Sequence, residues 1–352
     1  MKKAYLILED GHVFEGYSFG AEAKGIGELV FNTQAVGYVE SITDPSYYGQ
    51  ILMQTFPMVG NYGIMEEDFA GKCALSGYVV REYCEKPSNF RSQYDLDTFL
   101  KNNNSPAICG VDTRQITKIL RENGTMNACI CSEIPKDFEE IKNFKIVDAV
   151  ATVTSAEVEK IAAGDEKFNV TVVNYGSVNA IVSALKSKEC AVTVVPATAT
   201  AEEILATEPD GIILSDGPGD PAENVFCIEQ IKNLVGKKPI FAISLGHQLL
   251  ALADGGMTYK LKYGHRGSNQ PVKETDGTRT FITAQNHGYA VASDSTKHGN
   301  TSFANVNDKS CEGIEYPELK AFSVQFLPDD WKGERGTFFL YDKFIKMMEG
   351  NN

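Results

Sequence analysis

The sequence of 352 residues predicts an α/β protein: a β-rich N-terminal domain followed by a doubly wound, mostly parallel-sheet domain. Three observations lead there. Up to about residue 130, short β-type runs are punctuated by Gly, Pro and Asn turns. From Ser132 to Lys167 the chain turns polar and rich in Ala, Glu and Lys, which is linker texture. Beyond it, apolar strand-like runs alternate with amphipathic helical segments, the rhythm of a parallel sheet whose site lies at the strands' carboxyl ends. The expected division is residues 1–150, a linker 151–168, and 169–352.

In chain order, Ala4–Leu8 and His12–Phe19 flank Asp10-Gly11, a short hairpin signal. Further strands are expected at Gly27–Asn32, Gln50–Phe56 and Leu75–Val80. One helix interrupts them: Asp112 is suited to its N-cap, Ile116, Ile119 and Leu120 form an apolar stripe, and Gly124 sits where the helix should end. In the second half, strands are expected at Asn169–Asn174, Ala191–Val195, Gly211–Leu214 and Pro239–Ile243, with helices after most of them. A last helix, about Gly336–Met348, carries Phe338, Tyr341, Ile345 and Met348 at helical spacing, a core stripe.

Composition narrows the function classes. With 33 basic against 47 acidic residues the net charge is −14, which argues against a general nucleic-acid or anionic-membrane binder. No run approaches the roughly 20 apolar residues of a membrane span. Met1-Lys2-Lys3 leads directly into a strand-like run too short for a signal peptide, so a cytoplasmic protein is expected. The eight cysteines form no C-x-x-C pair and read as reduced, mostly buried thiols. Cys129-x-Cys131 reads as strand packing, the five histidines show no ligand spacing, and no metal site is expected.

The chemistry concentrates around Phe241-Ala242-Ile243-Ser244-Leu245-Gly246-His247-Gln248-Leu249-Leu250. An apolar strand stops at one small polar residue, and Gly246 opens a helical stretch. That is the strand–turn–helix shape of a nucleophile elbow, which lifts one side chain above the sheet. A second strand, Ile213-Leu214-Ser215, ends in Asp216-Gly217-Pro218-Gly219, where glycines let backbone N–H groups approach a ligand and face a developing oxyanion. The segments Ala284–Tyr289 and Ala321–Asp329 complete the set.

Together these segments resemble class I glutamine amidotransferases, in which G-I-C-L-G-H-Q surrounds a catalytic cysteine. The N-terminal half sharpens this. Leu8-Glu9-Asp10-Gly11, Gly27–Thr33, Gly37-Tyr38, Thr43-Asp44-Pro45-Ser46-Tyr47 and Gly110-Val111-Asp112-Thr113-Arg114 resemble the small subunit of carbamoyl phosphate synthase, so the likeness covers nearly the whole chain. The resemblance implies an N-terminal domain that docks a large subunit and a C-terminal amidotransferase domain that hydrolyses glutamine. Ammonia then passes to the large subunit, where ATP and Mg act in making carbamoyl phosphate for pyrimidine and arginine biosynthesis. No cofactor is expected on this chain. The resemblance assigns glutamine contacts to Ser46, Gly217, Gly219, Leu245, Gln248, Asn286, Gly288 and Tyr289.

The catalytic positions depart from the family. Its cysteine nucleophile, histidine base and orienting glutamate read here as Ser244, Leu327 and Asp329. A serine hydroxyl is harder to ionise than a thiol and needs a base more, and Leu327 cannot accept a proton. In a serine protease, loss of nucleophile or base costs on the order of 10⁶ in turnover. The family's D-F/Y-G-x-K reads Asn174-Tyr175-Gly176-Ser177-Val178, and the glycine two residues before the nucleophile is Ala242. Several replacements together point to divergence rather than to a single engineered substitution. The expected function is a small subunit without glutaminase chemistry, in a complex fed by free ammonia. The alternatives are a glutamine-binding regulatory subunit that does not hydrolyse it, and a working glutaminase using His247 or His287 as surrogate base.

Overall fold

The computed structural model describes residues 2–162, 164, 166–328 and 336–350. The chain forms two compact units, Met1–Ala149 and Val150–Asn352.

The first unit holds β1 (Lys3–Leu8), β2 (Val13–Gly20), β3 (Gly25–Asn32), β4 (Gln50–Gln54), β5 (Met58–Val59), β6 (Gly77–Val79), β7 (Glu82–Tyr83), β8 (Pro106–Cys109) and β9 (Met126–Cys131). Seven of them close a barrel in the order β1-β2-β8-β6-β4-β3-β9, and β5 and β7 pair apart from it. The hairpin at Asp10-Gly11 sets the β1–β2 register, with Ile7 opposite Val13 and Lys3 opposite Tyr17. Barrel closure leaves no bare sheet edge. One side of the barrel packs Val30, Leu52, Tyr78 and Ala107 against helix residues Val39, Ile42, Leu96 and Phe99.

The helix expected after Asp112 is Thr113–Asn123. The Asp112 carboxylate accepts from the N–H groups of Arg114 (3.1 Å) and Gln115 (3.0 Å), satisfying donors that a helix start leaves orphaned. Ile116 and Leu120 are buried, and Gly124 ends the helix. Cys129 and Cys131 lie in β9 and are buried, as strand packing predicts. All eight cysteines are free thiols. The sequence reading had no counterpart for the helix Leu96–Asn102, capped by Asp95.

The second unit adds β10 (Glu159–Ile161), β11 (Phe168–Asn174), β12 (Cys190–Pro196), β13 (Gly211–Leu214), β14 (Ile240–Ile243), β15 (Thr258–Glu274), β16 (Thr280–Val291), β17 (Asn300–Asn305), β18 (Cys311–Tyr316) and β19 (Ala321–Val324). They form one sheet in the order β10-β12-β11-β13-β14-β19-β18-β17-β15-β16. Strands β12, β11, β13, β14 and β19 run parallel, with helices Asn179–Lys186, Ala201–Ala206, Val225–Leu234 and Leu245–Ala253 between them in sequence. Strands β18, β17, β15 and β16 extend the sheet antiparallel.

Strand order reverses at β11, whose neighbours are β12 and β13. Loops at the carboxyl ends beside such a reversal diverge and leave a crevice. The loop after β11 and the one after β13 meet there, the Ser177 N–H donating to Asp216 O at 3.1 Å. Two apolar layers flank the sheet. One includes Leu214, Ala242, Leu249 and Leu250, the other Ile213, Phe241, Phe322 and Phe344, with Phe241 and Phe322 stacked at 4.4 Å between centroids. The last helix is Phe339–Met348, and Leu340, Tyr341 and Phe344 are buried in the second layer. Among the described residues no helix is long and apolar enough to cross a membrane.

Candidate active site

Ser244 follows β14 directly and holds φ 53° and ψ −107°, a conformation that L-residues rarely adopt. Three hydrogen bonds hold it there. Its own N–H donates to Val324 O (2.8 Å), the Gln248 N–H returns to Ser244 O (3.2 Å), and the Gly246 N–H reaches Ser215 O (3.0 Å). A Cβ on Gly246 would stand 2.4 Å from Leu214 O, so only glycine lets the helix Leu245–Ala253 start this close to the end of β13. The elbow shape expected from sequence is therefore present. The Ser244 side chain makes no helix-capping hydrogen bond, and among the described residues no hydrogen bond joins it to an imidazole.

The turn after β13 lies against the elbow. A Cβ on Gly217 would meet Tyr175 O at 2.3 Å and a Leu245 methyl at 2.9 Å, which puts Gly217 and Leu245 side by side. The Gly217 N–H donates to Asp216 Oδ1 at 2.7 Å. The expected arrangement, with both turn N–H groups facing a ligand, is thus modified at Gly217: its donor is already engaged. Gly219 takes φ +92°.

Gln248, one helical turn beyond Ser244, donates from Nε2 to Tyr289 O (2.7 Å) and to Gln325 Oε1 (2.9 Å). This ties the elbow helix to β16, which carries Asn286, Gly288 and Tyr289, and to the segment after β19. A Cβ on Gly288 would come within 3.2 Å of the Arg266 guanidinium, a buried cation on β15 that pairs in register with Asn286. Ser46 belongs to the other unit, in a 3₁₀ turn Pro45–Tyr47 whose start is capped by Asp44 accepting from the Ser46 N–H at 2.9 Å.

Leu327 bridges to Ala284 beside β16, its N–H donating to Ala284 O at 2.9 Å. It is half-buried and packs against the apolar layer that includes Phe303, Phe326 and Phe338. Leu327, expected from the resemblance at the base position, is thus a packing residue in this fold. Asp329 lies outside the described residues.

Two imidazoles stand in this region. His247 is fully buried, its Nδ1 2.8 Å from Ser323 Oγ and its Nε2 without a partner. Burial pushes its pKa down to about 3, so it stays neutral at physiological pH. His287 faces Tyr289 O through Nδ1 (2.7 Å) and Gln285 Oε1 through Nε2 (2.9 Å). Burial and the neighbouring His265 and Arg266 charges lower its pKa well below the usual imidazole range. An imidazole with both nitrogens engaged and its charged form disfavoured is a poor general base. Behind it, burial opposes the charge on His265, but hydrogen bonds to Asp308 and Glu312 outweigh it and push the pKa up to about 9.

Sequence reading did not single out Gln325, Arg266, His265, Asp308 or Glu312. All but Gln325 lie in or next to the antiparallel extension, which carried no helix-period or short-strand signal. Gln325 was inside a segment already marked, and its burial was the missing clue.

Comparisons with known proteins agree with this geometry. A family described as carbamoyl-phosphate synthase small chain, CPSase domain, matches residues 6–130, and one described as glutamine amidotransferase class-I matches residues 171–347. The carbamoyl phosphate synthase small chain of Listeria monocytogenes serotype 4b is 46% identical over 357 residues, covering 99% of this chain and 98% of that one. Those of Fusobacterium nucleatum and Clostridium acetobutylicum are each 44% identical, covering 100% and 98% of this chain and 99% and 100% of theirs. With a barrel unit, an amidotransferase-fold unit and an end-to-end match to these relatives, the chain belongs to the carbamoyl phosphate synthase small chain family.

Proposed function

We propose that this chain is the small subunit of a cytoplasmic carbamoyl phosphate synthase serving pyrimidine or arginine biosynthesis, and that its own glutamine hydrolysis has been lost. Residues 1–150 would dock the large subunit, which carries ATP and Mg. Residues 169–352 are the amidotransferase-like part, joined to them by 151–168. The complex would draw on free ammonia.

The observation that carries this reading is an elbow with its shape intact and, among the described residues, no hydrogen bond from Ser244 to an imidazole. Ser244 has elbow backbone angles, while Leu327 packs into an apolar layer and His247 and His287 are buried, neutral and turned to other partners. Serine attack on an amide needs proton removal from Oγ as the C–O bond forms. None of these three side chains supplies it. Gly217 N–H is also committed to Asp216, which weakens the stabilisation available to an oxyanion.

Glutamate release from glutamine, measured with and without the large subunit, is the direct test. The expected result is a rate at background, with carbamoyl phosphate formed from ammonium salts. A glutaminase rate near that of active relatives would sink the proposal and favour a working glutaminase. As a constructive test, Ser244→Cys with Leu327→His should raise glutamate release above background, because elbow and strand framework remain.

A second reading is favoured by one observation. Gln248, Tyr289 and Gln325 form a hydrogen-bonded unit where the family holds glutamine. Glutamine would then bind without turnover at the Gly217, Gly219, Leu245, Gln248, Asn286, Gly288 and Tyr289 positions and bias the partner. That requires a different affinity in the partner's two states. Calorimetry on the complex decides: no heat at millimolar glutamine removes this reading.

A further inference from the structure

Strands β15, β16 and β18 bring His265, His287 and Glu312 together in the interior of the amidotransferase-like unit. One ligand-type atom from each lies within 4.8 Å of the others, and all three residues are buried. Sequence spacing hides the group, because its members come from three strands.

The hydrogen bonds around it fix which atoms face inward. His265 Nε2 meets the Asp308 carboxylate at 2.9 Å, which holds a ring proton at Nε2 and turns Nδ1 inward. That Nδ1 points at Glu312 Oε1, 3.4 Å away, the place of the second ring proton when no cation is bound. His287 Nδ1 donates to Tyr289 O at 2.7 Å, which turns the Nε2 lone pair toward Gln285 Oε1 at 2.9 Å. Glu312 itself accepts from Asn305 Nδ2 at 3.0 Å and Gln285 Nε2 at 2.9 Å. Reversing the Gln285 amide would repair its contact with His287 but set its oxygen against the Glu312 carboxylate. Two imidazole nitrogens and a carboxylate therefore face one another, with the outer hydrogen bonds of each already made.

A divalent cation can take the place of the second His265 proton, which is released to solvent as the metal binds. Metal-ligating imidazoles characteristically donate their other N–H to a carboxylate or a backbone carbonyl, the arrangement seen at His265 and His287. Tetrahedral zinc with nitrogen and oxygen ligands at about 2.0–2.2 Å puts neighbouring ligand atoms about 3.3–3.5 Å apart, which the His265–Glu312 edge already meets. We propose that His265, His287 and Glu312 bind a divalent transition cation of the zinc class, with Gln285 Oε1 as a further oxygen and Asp308 as the carboxylate that orients His265. The site would pin β16, the strand that carries Asn286, Gly288 and Tyr289, to β15 and β18. It is independent of whether glutamine is hydrolysed.

The test uses tag-free full-length protein, stripped with chelator and titrated with Zn(II) and separately Co(II). The expected result is one ion per chain, a rise in Tm with Zn(II), and visible Co(II) d–d absorption. His265→Gln should abolish these signals. Asp308→Asn, at a half-exposed side chain that tolerates change, should weaken binding by about 10–100-fold. Absence of saturable binding at micromolar metal would overturn the proposal. So would binding unchanged in both variants, which would place the ion elsewhere. A persistent His265 Nδ1–H resonance in zinc-treated protein would also overturn it, because the positive species would then be a proton.

Discussion

The strained backbone of Ser244 can be read out by comparing two substitutions at one position. With φ 53° and ψ −107°, any side chain with a Cβ is held in a sparsely populated region, at a cost of about 1–3 kcal/mol. Ser244→Ala removes the hydroxyl and keeps that cost. Ser244→Gly removes the Cβ as well, releasing the strain but adding about 0.4–1 kcal/mol of unfolded-chain entropy. Near the middle of these ranges, the glycine variant should be the more stable by about 1 kcal/mol. For a unit of this size that is a Tm difference of about 2–4 °C. At an ordinary buried position the order is the reverse, with Gly below Ala by about 0.5–1 kcal/mol. The sign is therefore the readout. Calorimetric scans of both variants, each in the full chain, measure it. If Ser244→Ala melts at or above Ser244→Gly, the elbow stores no strain and its angles reflect packing that suits any residue.

Two further outcomes follow from named contacts. Gly246→Ala, which inside an exposed helix would gain about 1 kcal/mol, should here lose about 1–3 kcal/mol, because its Cβ meets the Leu214 carbonyl at 2.4 Å and backbone cannot yield; urea denaturation gives the sign. His247 has a folded pKa of about 3 against about 6.5 unfolded, so its contribution is intact above pH 6.5 and is lost as pH falls toward 3, at up to about 1.4 kcal/mol per unit. Tm against pH for His247→Gln should be flatter than for the unaltered chain over that window, and parallel curves would contradict the buried neutral imidazole.

What the sequence determined by itself is what short-range physics writes into neighbouring residues. Asp112 four residues before an apolar stripe is a helix start because a carboxylate and the backbone donors it satisfies lie within one turn. The apolar run Ile240–Ile243 stopped by Ser244-Leu245-Gly246 is an elbow because strand, turn and helix follow without a gap, and the parallel sheet follows from the alternation of such units. Ser244 and Leu327 stood out in the same way, as residue types at the motif positions where the resemblance implies a nucleophile and a base.

Tertiary structure alone decided the rest. The antiparallel extension escaped sequence reading because β15 and β16 are long, bulged and paired across residues whose alternation breaks at the register shifts, so no period marks them. What His247 and His287 bond to was likewise decided in the fold: Ser323, 76 residues on in sequence, for the first, and Gln285 and Tyr289 on its own strand for the second. The sequence says that Leu327 cannot accept a proton; only the fold shows that it packs against the apolar layer around Phe303 and Phe326. The grouping of His265, His287 and Glu312 exists only in the folded sheet, where β15 and β16 pair the two imidazoles in register and β18 brings Glu312 to them.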